Sequence, residues 1–303
     1  MTSPFHSGEK AVQTMVGVSE IADKVGRMLQ PQIATQAIPF IQQQPMVVIA
    51  STDAQEQLWT SLLIGDVGFI EVLSGDSLVI HEDSLRSATI DVLFEHLKEE
   101  TAIGMLFHEM ESRRRYRVNG MAVRRNRRIE VNVQEAYVNC PKYIQRRTFG
   151  AEKEIAEPQV SRGQALNTVE QQWIAQADTF FMATQSLAGK ADASHRGGNP
   201  GFVEVLADGR LRIPDYPGNN MFNSLGNIYE NPKAGLLFVD FHRGSTLQLS
   251  GAAVLEFDQN TVADMEKTGD TGRFWIFEPK EWVRTDHHHQ ANWDYIDASP
   301  FNP

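Results

Sequence analysis

The feature that most constrains the fold of this chain is an internal repeat. Residues 68–80 read GFIEVLSGDSLVI, and residues 201–213 read GFVEVLADGRLRI. The same register continues without a gap back to Ala50 in the first copy and Ala183 in the second. The chain has 303 residues, which is enough for two domains of ordinary size. We therefore predict a duplicated structural unit.

The two copies differ at two positions where the second copy carries basic residues and the first carries leucines. In the shared register, Leu62 and Leu63 of the first copy correspond to His195 and Arg196 of the second. An arginine side chain has a planar, permanently charged fork that suits phosphate. This loss of symmetry predicts a binding site in the second copy, with the first copy serving mainly as scaffold or partner.

Many short apolar runs separated by turn residues predict antiparallel hairpins. Ser74-Gly75-Asp76 and Ala207-Asp208-Gly209 are such turns. Helical spacing is confined to a few segments, which are 12–29, 35–44, 87–98, 168–176 and 219–230. This balance predicts a mainly β fold with helices (α+β), built of two tandem β-barrels. We expect an N-terminal helical segment over 1–45, a first, degenerate barrel over 46–149, a linker over 150–164, and a second, binding barrel with an irregular tail over 165–303.

Charge is distributed unevenly along the chain. The net charge of −11 argues against general nucleic-acid binding. Eight arginines nevertheless crowd one short region, namely Arg113, Arg114, Arg115, Arg117, Arg124, Arg125, Arg127 and Arg128. They are either the charged edges of solvated strands, which resist sheet-to-sheet association, or an anion-attracting surface near a phosphate-bearing ligand or acidic partner.

Apolar runs, the cysteine and the histidines indicate where the protein is located and whether it binds a metal. No apolar run approaches the length of about 18 residues that a membrane helix needs, so we expect no membrane partner. The single cysteine, Cys140, cannot form an intrachain disulfide, which favours a cytoplasmic location. It is either a packed thiol or a reactive one near Lys142. Three consecutive histidines at 287–289 are typical of a polar tail rather than a metal site, and we predict no metal.

Two polar stretches carry the candidate site. The first, ASHRGGNP, offers Ser194, His195, Arg196 and the flexible Gly197 at the end of a strand. The second is DYPGNNMFNSLGN, in which Asn219, Asn223 and Asn227 recur every four residues and would share one helical face. A helix N-terminus at Asn219 would favour anions. The alternatives are an ordinary turn with a surface arginine and a solvent-facing polar stripe.

At these residues the chain resembles the pyridoxamine 5′-phosphate oxidase-related, FMN-binding split-barrel proteins, in particular their long, two-barrel branch. The matching segments are FHSGE at 5–9, NCPKYIQRR at 139–147, the two polar stretches above, and SPFNP at 299–303. The resemblance implies a six-stranded split barrel, usually a homodimer, with FMN at the barrel–barrel interface. It also implies that the flavin contacts ten residues, namely Ser194, His195, Arg196, Gly197, Asn219, Asn220, Phe222, Asn223, Ser224 and Asn227. Relatives often carry a basic residue in the turn-helix segment, where Asn220 and Ser224 are neutral here, so the charge for phosphate would come from Arg196 or the arginine-rich region.

These observations lead to a functional hypothesis. We expect an FMN-dependent oxidoreductase of unknown substrate, with NADH or NADPH as candidate electron donors. Oxidation of pyridoxamine phosphate itself is the runner-up within that class. Outside that class, the chain could be a non-catalytic flavin carrier or sensor, or a non-flavin interaction protein. No catalytic residue is assigned, although His195 is the best titratable candidate.

Overall fold

The computed structural model describes residues 3–97, 99–150 and 156–303. In this part of the chain the α-helices are α1 Ser7–Val16, α2 Ser19–Val25, α3 Ile38–Gln42, α4 Leu93–His96, α5 Thr168–Gln176, α6 Asn223–Glu230 and α7 Val262–Thr268. Single 3₁₀ turns lie at Gly26–Met28, Thr35–Ala37 and Glu82–Ser84. Gly17 ends α1 in a left-handed conformation with φ of 75°, so the predicted helix over 12–29 is broken into two.

Seven antiparallel strands form the first sheet. They are β1 Met46–Thr52, β2 Leu58–Ile64, β3 Ile70–Ser74, β4 Ser77–His81, β5 Thr101–Glu109, β6 Arg114–Arg125 and β7 Arg128–Val138. Their order across the sheet is β2-β1-β5-β6-β7-β4-β3. All seven strands send side chains into one apolar core, which includes Ile49, Phe107 and Ile129. A sheet that encloses its own core in this way is a small barrel.

The second half of the chain repeats this arrangement. After β8 Arg146–Phe149 and β9 Gln159–Gly163 come β10 Thr179–Gln185, β11 Ala191–Gly197, β12 Glu204–Val205, β13 Leu211–Pro214, β14 Lys233–Asp240, β15 Ser245–Glu256, β16 Phe274–Asp286 and β17 Trp293–Asp297. The order β11-β10-β14-β15-β16-β13-β12 is that of the first sheet, with β9 added beside β16. The mainly β fold with helices and the duplication predicted from the sequence are therefore confirmed.

The registers match residue for residue. Leu62 pairs with Val48 in the first barrel, and His195 pairs with Phe181 at the same place in the second. We call two residues twins when they occupy the same register position in the two barrels. His195 is thus the twin of Leu62, as the sequence repeat predicts.

The two barrels pack face to face within one chain. A shared apolar cluster joins Val48, Leu62 and Leu106 of the first barrel to Phe181, Ala183 and Leu237 of the second. Strand β2 lies against β14, and β11 lies against β5, which is the reciprocal pattern of a pseudo-twofold axis. The twin residues Gly104 and Gly235 make the approach possible, because a Cβ on either would lie 2.5–2.6 Å from backbone atoms of the other barrel.

Four sequence predictions need correction. In the predicted linker over 150–164, residues 151–155 lie outside the described residues, and Gln159–Gly163 is the strand β9. The helix predicted over 87–98 is only Leu93–His96. The side chain of Asp91 accepts from the backbone amide of Leu93, and the Ser87 hydroxyl accepts from the amide of Ile64 in β2, so both side chains bond to backbone outside a helix. Lys98 lies outside the described residues. The tail is ordered, since β17 pairs with β8. The three histidines are not a polar tail, because His288 and His289 are buried against the barrel interface.

Candidate functional site

A partly open cavity of about 120 Å³ lies between the barrels at the carboxyl end of β11. Both barrels line it. The first contributes Arg115, Arg117, Asn139, Cys140, Lys142 and Tyr143. The second contributes Ser194, His195, Arg196, Gly197, Phe202, Pro214, Asp215, Tyr216, Gly218, Asn219, Asn220, Phe222, Asn223, Ser224 and Leu225.

Nine of the ten candidate binding residues line this cavity. The exception is Asn227, which is buried behind the wall and donates from its side chain to Thr184 Oγ1 at 3.0 Å. The cavity places Ser194 and Ser224 side by side, with their hydroxyl oxygens 2.8 Å apart. Gly197 is needed at its position because a Cβ there would lie 2.1 Å from the carbonyl oxygen of Tyr143.

The helix predicted from Asn219 begins four residues later. Asn220 and Phe222 adopt left-handed backbone conformations, with φ of 63° and 60°, so 219–222 is a turn. The expected asparagine face therefore does not form: Asn219 caps the amide of Met221, and Asn223 donates to the Glu9 carboxylate of α1. Among the described residues no side chain caps the start of α6, so the first backbone N–H groups of that helix remain available beside the cavity.

Arg117 is the most constrained cation of the site. It is 5% exposed and pairs with Asp192 at 2.8 Å, while its other contacts are Ser194 Oγ at 2.6 Å and the Tyr137 hydroxyl at 2.7 Å. Burial is the largest influence on Arg117 and opposes its charge, but Asp192, Tyr137 and Glu135 together outweigh burial and raise the pKa of the guanidinium. The pKa of Asp192 is raised by its own burial. The pair therefore holds a fixed positive group at the cavity wall.

Arg115 lies two residues earlier on the same face of β6. Its guanidinium is held by neutral acceptors, which are the carbonyl oxygens of Cys140 at 2.7 Å and Lys142 at 3.4 Å, and His195 Nδ1 at 3.1 Å. Burial lowers the pKa of Arg115 to about 9, and the neighbouring Arg117 and Arg196 add to this effect. Burial and nearby positive charges destabilise the charged form of this guanidinium, and an anionic ligand would stabilise it.

The opposite wall carries Arg196. Its guanidinium pairs with Asp215 at 3.2 Å, and the same carboxylate accepts from Arg273 at 2.9 Å. Lys142 lies over the ring of Phe301 at 5.4 Å. The cavity is thus lined by four cations, Arg115, Arg117, Lys142 and Arg196, and one carboxylate, Asp215. The excess of positive charge suits an anion.

The sequence motifs near the two ends of the described chain support this cavity. Ser299 Oγ accepts from the backbone amide of Tyr143 at 3.1 Å, and Asn302 bonds to Gln145 at 3.1 Å. These contacts fix the loop after β7 that carries Cys140, Lys142 and Tyr143. At the other end, Glu9 of α1 accepts from Asn223, and burial raises the pKa of its carboxyl group to about 7.

The first barrel is more than a scaffold, because its arginines complete the site. The arginine-rich region divides into two groups. Arg115 and Arg117 face the cavity, whereas Arg114, Arg124 and Arg127 pair with Glu109, Glu82 and Asp83 away from it. The period-2 alternation of a strand could have separated the two groups. Sequence reasoning missed Asp192 and His108, and no motif signals them.

The position of the barrel interface that the pseudo-twofold axis relates to this cavity is filled. Gln248, the twin of Arg117, donates to Ser61, the twin of Ser194, at 3.1 Å. Trp59 and Val283 stand at the twin positions of Asp192 and Tyr137, and they pack together with Val92. Apolar side chains therefore replace the buried charges there, and the polar cavity forms once rather than twice in the described chain.

Metal ligands and membrane-spanning helices are both absent from the described ranges. No group of three or more His, Cys, Asp or Glu is placed to hold a metal ion there. None of the helices in these ranges combines the length and apolar character needed to cross a membrane.

One sequence comparison finds a known family in the second half of the chain. Residues 167–282 match the family model described as pyridoxamine 5′-phosphate oxidase, and this range runs from the cap of α5 into β16. The second barrel is thus similar in sequence to that family, and the match covers less than half of the chain. No curated protein sequence matches the chain.

Solved structures align with about two fifths of the chain. HupZ of Group A Streptococcus is 16% identical, with 42% of this chain and 98% of that chain covered and a TM-score of 0.31. The heme storage protein HutZ of Vibrio cholerae is 15% identical, with 40% and 95% covered and a TM-score of 0.29. An FMN-binding protein from Syntrophomonas wolfei is 10% identical, with 37% and 80% covered and a TM-score of 0.28.

Proposed function

We propose that the chain is an FMN-binding flavoprotein of the pyridoxamine 5′-phosphate oxidase type, acting as an oxidoreductase on a small substrate. The observation that carries the proposal is the cavity between the barrels, where four cations face one lining carboxylate. A phosphate monoester is a small dianion that guanidinium forks bind well. The family match to the second barrel supports the same ligand class.

The residues present fit the phosphate end of FMN. Arg115 and Arg196 approach from different barrels, Ser194 and Ser224 offer hydroxyl groups, and the start of α6 offers backbone N–H groups. The cavity of about 120 Å³ is smaller than the roughly 300–1,000 Å³ of pockets that enclose drug-sized ligands. We therefore propose that the cavity binds the phosphate end of FMN and that the rest of the cofactor extends toward the cavity opening.

A bound flavin would supply the redox chemistry, and the chain would supply binding, orientation and electrostatics. Arg115, Arg117 and Arg196 would balance the phosphate charge. Both barrels of one chain line the cavity, so a single chain would suffice for the phosphate grip. A homodimer, a cytoplasmic location and NADH or NADPH as donor stay predictions.

A flavin carrier or sensor without turnover is the second candidate. One observation favours it: His195, the best titratable group on the wall, is buried, and the pKa of its ring is held well below the usual value by burial, by His108 and by three arginines. A histidine held neutral in this way does not exchange protons readily near neutral pH.

Two measurements test the proposal. The purified protein, or the protein mixed with FMN, should show the absorption of oxidised flavin and quench flavin fluorescence on binding. A protein that stays colourless and ignores added FMN would refute flavin binding. Anaerobic mixing of the FMN-loaded protein with NADH or NADPH then separates the two candidates, since bleaching at a catalytic rate supports the oxidoreductase and no bleaching supports the carrier.

A further inference from the structure

Helix α1 comes first among the helices of the chain, but it packs on the second barrel. Its Val12 side chain is buried in the core of that barrel together with Leu225 of α6. The two helices meet at Gly8 and Gly226. A Cβ on Gly8 would lie 2.3 Å from the Gly226 carbonyl oxygen, and a Cβ on Gly226 would lie 2.6 Å from the Glu9 backbone. This close contact fixes α1 against the helix that begins beside the cavity.

Two side chains of α1 bond to the cavity-lining segment 219–225. Gln13 is 2% exposed, and its side-chain amide donates to the carbonyl oxygen of Met221 at 2.9 Å. The Glu9 carboxylate accepts from the side-chain amide of Asn223. Residues four positions apart on a helix lie on the same face, so both contacts come from one face of α1.

The contact from Gln13 holds an irregular stretch of backbone. Met221 lies between Asn220 and Phe222, whose φ angles are 63° and 60°. Such left-handed conformations persist only where the surrounding contacts hold them. The Met221 amide is held by Asn219 and its carbonyl oxygen by Gln13. Since Asn220 and Phe222 line the cavity, a change at Gln13 would alter the cavity wall from behind.

The N-terminal segment also supports the wall contributed by the first barrel. Phe5, just before α1, packs with Met221 and Tyr137 in one apolar cluster. The Tyr137 hydroxyl accepts from Arg117 at 2.7 Å, and Arg117 lines the cavity. Residues 5–13 therefore contact supporting residues on both sides of the cavity.

Glu9 adds a titratable charge to these contacts. It is 4% exposed, and burial raises the pKa of its carboxyl group to about 7. The charged and titratable groups around it are His6 at the N-cap of α1, Glu230 of α6, which pairs with His6 at 3.0 Å, Asp192 of β11 and Glu135 of β7. Three of these four groups are acidic. An anion in the cavity would add to the negative charge near Glu9 and favour its neutral form.

We propose that α1 positions the anion-binding turn of the cavity, with Gln13 and Glu9 as positioning residues, and that a proton on Glu9 favours anion binding. Both residues lie behind the cavity wall and not in it. Gln13 holds the turn through Met221, and Glu9 holds Asn223. Because coupling between two sites is reciprocal, binding of the anion must then favour uptake of a proton at Glu9. The inference rests on the anion-binding cavity of the proposed function but not on FMN as the anion.

The test of Glu9 is an NMR titration of the full ¹⁵N-labelled chain with inorganic sulfate, which stays a dianion between pH 6 and pH 8. The backbone amides of 222–225 report binding, and sodium chloride keeps the ionic strength constant. In the parent protein, sulfate affinity should fall by roughly fivefold from pH 6 to pH 8 as Glu9 ionises. Glu9→Gln keeps an acceptor for Asn223 but cannot ionise, so it should remove most of that fall. Equal pH dependence in both proteins, or no shift of these amides with sulfate, would overturn the proposal.

The test of Gln13 is Gln13→Leu, which removes the donor to the Met221 carbonyl oxygen. At pH 6 this variant should bind sulfate roughly tenfold more weakly. Its amides in 222–225 should exchange hydrogen faster, while those of β14 in the same barrel stay unchanged. Thr14→Leu, at the next and exposed position of α1, is the matched control and should change neither property. Unchanged sulfate affinity in Gln13→Leu would refute its positioning role, and if that variant does not fold, the comparison of Glu9→Gln with the parent decides.

FMN in the same titration separates this inference from the proposed function. If sulfate binds with the expected pH dependence and FMN does not bind, the positioning role stands and the flavin proposal fails. If FMN binds but neither Glu9→Gln nor Gln13→Leu changes the affinity for sulfate or its pH dependence, the flavin proposal stands and the positioning role fails.

Discussion

Replacing Arg117 by glutamine, the residue at its twin position, tests the charge balance of the site. Glutamine can still bond to Ser194, as Gln248 bonds to Ser61. It leaves the Asp192 carboxylate buried without the cation that lies 2.8 Å away. Removing one member of a buried ion pair costs about 3–5 kcal/mol. We expect Arg117→Gln to lower the free energy of unfolding by about that amount, measured by urea unfolding at pH 7.

The pH dependence of this loss has a definite sign. Burial raises the pKa of Asp192 in the folded protein, and loss of Arg117 raises it further. A carboxyl group with a raised folded pKa contributes stability that is present at low pH and lost as the pH rises through that value. The destabilisation by Arg117→Gln should therefore be smaller at pH 5 than at pH 8.

A double variant is the control. Arg117→Gln with Asp192→Asn removes both charges, and replacing a whole buried pair is often nearly neutral. We expect the double variant to regain most of the lost stability, with a coupling energy of about 2 kcal/mol or more. A loss below about 1 kcal/mol in the single variant, or no recovery in the double variant, would show that the pair is not the buried ion pair described.

Three further predictions follow from single contacts. Arg196→Ala should weaken FMN binding by roughly 10–100-fold in a fluorescence titration, because a charged hydrogen bond contributes about 1.5–3 kcal/mol. Leu63→Ala at the twin position should instead lower stability by about 2–5 kcal/mol and leave FMN affinity unchanged. Equal effects of the two variants on affinity would contradict the asymmetry between the barrels. The pKa of the Glu9 carboxyl group is raised from 4.5 to about 7, so the parent protein loses stability as that group ionises. Between pH 5 and pH 8, Glu9→Gln should therefore gain stability relative to the parent by up to about 3 kcal/mol in urea unfolding. A difference in stability that does not change with pH would refute the raised pKa. Deleting residues 299–303 should weaken FMN binding by roughly tenfold, because the loop that carries Tyr143 and Gln145 loses its hydrogen bonds to Ser299 and Asn302. Unchanged affinity together with an unchanged circular dichroism spectrum would show that these residues do not support the site.

The repeat in the sequence predicted the fold well because it reports directly on register. Leu62 and His195 fall on matching strand positions, as the ungapped alignment requires. The turn-helix segment was harder to predict. Its spacing of asparagines matches a helix, but left-handed residues at 220 and 222 delay the start of α6. Such conformations depend on surrounding contacts rather than on local propensity.

The composition of the cavity wall was only half predictable. Ser194 and Arg196 stand in a conspicuous polar stretch, so the sequence points to them. Arg117 is one of eight clustered arginines, and only its burial against Asp192 distinguishes it from Arg114, which is exposed. The pairing brings together residues 75 positions apart, on different barrels, and no local pattern encodes that contact.

The amino-acid sequence by itself determined the duplication, the strand register and the asymmetry between Leu62-Leu63 and His195-Arg196, because these depend on local pattern and repeat. The tertiary structure alone decided that the site lies between two barrels of one chain and that Arg115 and Arg117 complete it. The same packing decided that His195 is buried. These properties arise from desolvation and from contacts across the barrel interface, which form only when both barrels have folded and met.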